Sequence, residues 1–152
     1  MVREEELIED HRSVDKKLKQ LLSQIEGGEL DPSLFHEIKN GLRNHIFVEE
    51  EYSFPAVLKM DSKLSGRLKG LEMEHASLWM LMDRISSEIE SEAIVGTPKF
   101  VKEIYDILQA HNEQEENNVY PILLKMDPPS GPELLDVKVP EGWICRRLRK
   151  NK

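Results

Sequence analysis

Two stretches of this chain carry histidine and glutamate one helical turn apart: His45-x-x-x-Glu49 and His111-x-x-x-Glu115. On a helix the two side chains of such a pair lie about 40° apart around the axis and one turn apart along it, so both can face one pair of metal ions. Imidazole nitrogen combined with carboxylate oxygen suits iron, manganese or zinc. His11 and His75 stand on two further apolar seams. Burying histidine and glutamate at core positions is costly unless they pair or bind metal. One such pair would be weak evidence. Two copies, with two more seam histidines at matching height, predict a buried centre in which Glu49 and Glu115 arrive from opposite helices to bridge two ions.

The elements that must position these residues follow from the punctuation of the chain. Proline and glycine divide the first 126 residues into four helical segments. The first runs from about Arg3 to Glu26 and stops at Gly27-Gly28. The second starts at Asp31-Pro32, an N-cap followed by proline at the first helical position, and runs to about Met60 with Pro55 as a kink. The third covers about Lys63 to Glu90. The fourth starts at Thr97-Pro98, with the threonine as cap, and ends near Lys125, with Pro121 placed as Pro55 is. Apolar residues recur every three or four positions, and the seams continue through the site at Tyr52 and Asn118. Four such helices with short loops predict an all-α fold, an antiparallel up-down-up-down four-helix bundle over residues 1–126. A C-terminal extended tail follows over residues 127–152, with a short strand expected around Val137–Val139.

The chain also repeats itself. His45 to Asp61 and His111 to Asp127 share His, Glu, Glu, Pro, Leu, Lys, Met and Asp at equal offsets, 66 residues apart. Asp10-His11 and Glu74-His75 match more weakly, 64 residues apart. Two helical hairpins related by an internal two-fold are expected. Counting outward from the loops at a rise of about 1.5 Å per residue, His11, His45, Glu49, His75, His111 and Glu115 fall in one layer, within roughly a helical turn.

This pattern resembles the hemerythrin-like (HHE cation-binding) family, whose signature is His, His-x-x-x-Glu, His, His-x-x-x-Glu, one element per helix. The resemblance covers about residues 3–126. It implies a non-haem di-iron centre held by His11, His45, Glu49, His75, His111 and Glu115, handling a small ligand such as O2, NO or a peroxide. Oxygen-carrying hemerythrins add a second histidine one turn after the third-helix one; Trp79 stands there in this chain and is expected to border the pocket without coordinating. The four-histidine, two-glutamate set is more similar to the di-iron proteins of iron–sulfur cluster repair and nitric oxide response, and to iron-sensing hemerythrin domains. A ligand-binding or sensing protein is the first reading and a repair or detoxifying one the alternative. No separate general base or substrate-orienting set is visible, which weighs against a dedicated enzyme.

Other residues receive plainer expectations. Glu50 and Glu116 read as exposed or half-exposed carboxylates, His36 as a surface residue, and Met73, Met80 and Met82 as packing. Glu72-x-x-His75 matches a ferritin-like element, but its second half is lacking because Leu108 precedes His111. The formal charge is −8, which argues against nucleic acid as the partner. Residues 127–152 carry six Lys and Arg against four Asp and Glu, or +2, which leaves −10 on the first 126. Trp143 of this basic tail is expected to pack on the acidic bundle; the alternative is a partner-docking or homodimerising segment. One cysteine, Cys145, excludes an internal disulfide framework and reads as packed. No apolar run is long enough to span a membrane. The opening Met1-Val2-Arg3-Glu4-Glu5-Glu6 is acidic where a secretory leader is basic, so a cytoplasmic location is expected.

Overall fold

The computed structural model describes residues 4–126 and 137–149. The first segment forms α1 (Glu4–Glu26), three glutamates in its first turn complementing the helix dipole. It ends in a Schellman motif: Glu29 N–H reaches Gln24 O, Gly28 N–H reaches Ile25 O, and Gly28 takes φ +80°. Helix α2 (Pro32–Val48) starts as expected, with Asp31 accepting from Ser33 N–H at 2.9 Å. It continues through a wide turn (Glu49–Ser53) into α3 (Phe54–Met60), then a 3₁₀ turn (Ser62–Leu64) leads into α4 (Ser65–Glu90). The second hairpin repeats the plan with α5 (Thr97–Gln114), a wide turn (Glu115–Val119) and α6 (Tyr120–Leu123).

Thr97 is not the cap of α5. Its hydroxyl donates to the Glu88 carboxylate at 2.7 Å, and that carboxylate also takes the Gly96 N–H. A residue of α4 therefore satisfies the start of α5. Gly96 is needed because a Cβ there would lie 2.7 Å from Phe100 and 2.9 Å from Glu88.

The helices pack as a square in which α1 touches α2 and α5, and α4 touches α5 and α2, which is the antiparallel bundle. Its interior has two apolar plugs. One, toward the hairpin loops, includes Val14, Leu18, Leu21, Phe35, Ile38, Met82, Ile85 and Ile104. The other includes Leu7, Val48, Phe54, Val57, Leu71, Val119 and Tyr120. Replacing a fully buried member such as Phe35 by alanine would cost about 3–5 kcal/mol. Among the described residues there is no strand: Val137–Val139 is irregular, although Val137 itself is buried against the second plug. No described helix is long and apolar enough to cross a membrane.

Candidate metal centre

Between the plugs lies a polar layer, and its shape starts with two prolines. Pro55 has no N–H for the carbonyl four residues back, and its ring crowds that carbonyl. The turn before it widens: Phe54 N–H bonds to Glu49 O, five residues back. Pro121 has the same effect, and Tyr120 N–H bonds to Glu115 O. Such π turns commonly occur at functional sites. Each adds one residue to the turn and slips the seam. Tyr52 and Asn118, expected on the core face, turn outward, and Phe54 and Tyr120 replace them inside. Glu49 and Glu50 both become fully buried, which corrects the expectation that Glu50 is exposed.

The six signature residues are buried together, none more than 6 % exposed. Their donor atoms form two groups: His11, His45, Glu49 and Glu115, and His75, His111, Glu49 and Glu115, each with ligand atoms within 4.8 Å of one another. Both groups share both carboxylates, and each carboxylate gives one oxygen to each. Glu49 places Oε2 3.4 Å from His45 Nε2 and Oε1 3.1 Å from His75 Nε2. Glu115 places Oε1 3.1 Å from His11 Nε2 and Oε2 3.3 Å from His111 Nε2.

All four imidazoles are oriented from behind by a carboxylate. His11 Nδ1 lies 2.9 Å from Glu116, His45 Nδ1 2.8 Å from Asp10, His75 Nδ1 2.8 Å from Glu50 and His111 Nδ1 2.9 Å from Glu74. A carboxylate here accepts, so each Nδ1 carries the hydrogen and each Nε2 faces inward. The pattern obeys the internal two-fold. Asp10 and Glu74 each serve the other helix of their own hairpin, and Glu50 and Glu116 each serve the opposite hairpin. Such partners fix ring orientation and raise ligand basicity.

Tyr120 is the residue that sequence reasoning missed. Its hydroxyl donates to Glu49 Oε2 at 2.7 Å, with Glu115 Oε1 at 3.1 Å and the Nε2 atoms of His11 and His45 at 3.0 and 3.1 Å. Its ring stacks on His11, as that of Phe54 stacks on His75. The signal was present in the repeat, where Phe54-Pro55 aligns with Tyr120-Pro121, but a uniform helical register turned both rings away.

These residues fit a metal pair. Donors bound to such an ion at about 2.0–2.2 Å and at right angles stand about 3 Å apart, the spacing found here. His11 Nε2 and His45 Nε2 are 3.2 Å apart; two lone pairs that close repel unless a proton or cation lies between them. Glu115 Oε2 is buried without a hydrogen bond. In the metal-free protein the surrounding carboxylates favour protonated imidazoles. Burial disfavours a charged His45, yet Glu49 and Asp10 outweigh it and hold its pKa well above the ordinary histidine value. His75 is raised against the same burial penalty by bonds to Glu49 and Glu50. His111 is pushed up to about 10, the Glu115 charge overcoming burial. Burial would raise Glu49, but His45 and the bonds around it hold its carboxyl well below the usual range. Burial, with Glu115 and Glu49 beside it, raises Tyr120 well above the ordinary phenol value, so the hydroxyl keeps its proton.

A cavity of about 10 Å³ adjoins the four histidines, walled by Val14, Leu42, Ile46, Leu78 and Leu108. That is about the space one water needs, so only a very small molecule fits. His11 and Asn112 also line a surface cleft of about 350 Å³ with Arg12, Asp15, Glu113 and Glu116.

Four histidines and two shared glutamates, one element per helix, are what a cation-binding bundle requires, and the hemerythrin HHE cation binding domain matches residues 3–123. The chain belongs to the hemerythrin HHE cation-binding family. No curated protein and no solved structure matches it significantly. Within this hemerythrin domain several expectations change. Trp79 is buried but faces away from the cavity, packed with Ile46, Ala76 and Cys145, with Arg43 over its ring at 4.6 Å. A substituent there would meet the tail. Met73 and Met80 are 62 and 50 % exposed, so only Met82 packs. His36 is exposed. Glu72 is buried but pairs with Arg147 at 2.9 Å.

Proposed function

We propose that this hemerythrin domain holds two iron ions, one at His11 and His45 and one at His75 and His111, with Glu49 and Glu115 bridging, and that it binds or senses a small ligand such as O2 or NO. The observation that carries this reading is the pair of donor groups sharing both carboxylates. Bound iron would supply exchangeable electrons and binding positions for a diatomic molecule. The chain supplies the rest. Asp10, Glu50, Glu74 and Glu116 aim the rings. The apolar plugs keep bulk water from the layer and strengthen its electrostatics. The Tyr120 hydroxyl keeps a proton 2.7 Å from Glu49 Oε2. The cavity size favours a diatomic ligand over any organic substrate, which supports binding or sensing over an enzyme with a larger substrate. A cytoplasmic setting and a C-terminal tail distinct from the 1–126 bundle belong to this reading, supported by the acidic charge, the lone cysteine and the irregular course of residues 137–145 along the outside of the helices.

Anaerobic reconstitution with ferrous iron tests it, with metal analysis and optical spectra before and after O2 and NO. Two irons per chain and a spectral change with either gas are expected. No transition metal retained, or two irons indifferent to both gases, would overturn the metal or the ligand part respectively.

A further inference from the structure

The two halves of the centre are alike in their ligands and unlike in their backing. Glu116, behind His11, has a side chain 35 % exposed and borders the surface cleft. Glu50, its repeat mate behind His75, is fully buried, and the tail buries it. Arg146 backbone N–H donates to Glu50 Oε1 at 2.6 Å, while Glu50 Oε2 holds His75. The Arg146 guanidinium donates to the Glu50 backbone carbonyl at 3.3 Å. One turn before His75, Glu72 takes Arg147 at 2.9 Å and Arg146 at 3.5 Å.

The tail is seated firmly enough for this work. Trp143 Nε1 donates to Glu51 at 3.0 Å, and its ring meets Phe47 and Trp79 edge to face. Cys145 is fully buried between Ile46, Ala76 and Trp79.

We propose that residues 143–149 are a positioning strap for one metal site: the Arg146 N–H, acting through Glu50, fixes the His75 ring and makes the His75/His111 position the slowly exchanging one. A carboxylate facing water can swing away from its histidine, whereas a buried one held by a donor on each oxygen cannot. The consequence for metal rests on the proposed two-iron reading; the consequence for the ring does not.

Arg146 opens a 3₁₀ turn, and Cys145 before it has φ −58° and ψ 150°, which a following proline accepts. Arg146→Pro therefore keeps the local backbone path but removes the N–H and sets a ring carbon where it pointed, which displaces the Glu50 carboxylate, and Arg146→Ala keeps the N–H while removing the guanidinium. In the metal-free protein, the His75 Nδ1–H signal in histidine-labelled NMR spectra should be protected from solvent exchange in the unmodified chain and in Arg146→Ala, and exposed in Arg146→Pro. Equal protection in all three overturns the proposal whether or not metal binds. In ferrous-loaded protein, one of the two irons should pass to a chelator about 10–100-fold faster in Arg146→Pro, the range for losing a partner behind a ligand, and at the unmodified rate in Arg146→Ala. Both irons leaving faster by the same factor would mean general loosening and overturns it too. Failure of the unmodified chain to take up two irons would refute the two-iron reading alone, leaving the ring measurement to decide the strap.

Discussion

Removing the Tyr120 hydroxyl tests the geometry of the centre directly. Tyr120→Phe preserves the ring stacked on His11, 5.5 Å between centroids, so the packing cost is small. What is lost is a buried donor to Glu49. A hydrogen bond to a charged group is worth about 1.5–3 kcal/mol, more when the partner is left buried and unpaired. Glu49 Oε2 would keep only His45 Nε2, at 3.4 Å. Against this stands the removed cost of burying the hydroxyl, which puts the expected loss in the metal-free protein at about 2 kcal/mol. At about 2–4 °C per kcal/mol for a chain of this size, the thermal midpoint should fall by about 4–8 °C. The repeat provides a reciprocal. Phe54 occupies the mirror position over His75, and a hydroxyl there would face Glu115 Oε2, which has no hydrogen bond. The double variant Tyr120→Phe/Phe54→Tyr should recover most of the loss in thermal unfolding followed by circular dichroism. A Tyr120→Phe protein as stable as the parent would refute the assignment of the hydroxyl as a net stabiliser. A double variant weaker than the single would refute the two-fold geometry.

Four further outcomes are expected. Glu49→Gln should lose the paired metal, since an amide is a poor bridge, while Glu50→Gln should keep both ions and weaken affinity about 10–100-fold; elemental analysis after dialysis separates them, and equal loss would mean that Glu50 is itself a ligand. At pH 7 metal must displace the proton of His111, pushed up to about 10, and compete with that of His45, held well above the ordinary value in the metal-free protein, so zinc addition in weak buffer should release protons, and no release would refute the protonated state. Because a raised histidine stabilises the fold fully below 6.5 and loses that effect as pH rises through its folded value, about 10 for His111, the metal-free protein should lose stability between neutral and alkaline pH while metal affinity rises. Glu92 closes α4 at φ 57°, with Ala93 N–H on Glu88 O, where the first hairpin uses Gly28. Glu92→Gly should stabilise by about 0.5–1 kcal/mol in urea titration, and a loss would show that the side chain does more than tolerate the turn.

The bundle and its ligands were legible because both depend on periodicity and on local stops. Asp31-Pro32, Gly27-Gly28 and the seams around Leu18, Ile38, Ile85 and Ile104 each mark one helix and its inner face without help from the rest of the chain. His45 and Glu49 were readable for the same reason, lying before the irregular turn. Beyond Glu49 and Glu115 a constant period fails by one residue, because proline forbids the usual hydrogen bond and the turn widens. Glu50, Phe54 and Tyr120 all lie after that slip, which is why their burial was not legible. The prolines were read as kinks; the sequence contained the cause of the slip but not its direction. Trp79 was misplaced for a different reason. Its position on α4 is one turn after His75, but the tail offers it an aromatic partner in Trp143, 5.6 Å away, and contacts between segments 64 residues apart leave no local trace.

What the chain does with its internal two-fold follows from where it breaks it. The ligands and the carboxylates behind them repeat, so both metal positions can form. Three departures then fall on named sides. Tyr120 puts a hydroxyl beside His11 and His45 where the other half has only the Phe54 ring. The surface cleft borders His11 and Asn112, on the Glu116 side. The tail covers Glu50 and leaves Glu116 half-exposed. Tyrosine hydroxyl and Glu116 cleft thus share one half, and the buried, clamped Glu50 holds the other. A small ligand of the kind proposed would meet two unequal positions, one with the Tyr120 hydroxyl beside it and one backed by the clamped Glu50. Two equivalent halves would have needed neither the tyrosine nor the tail.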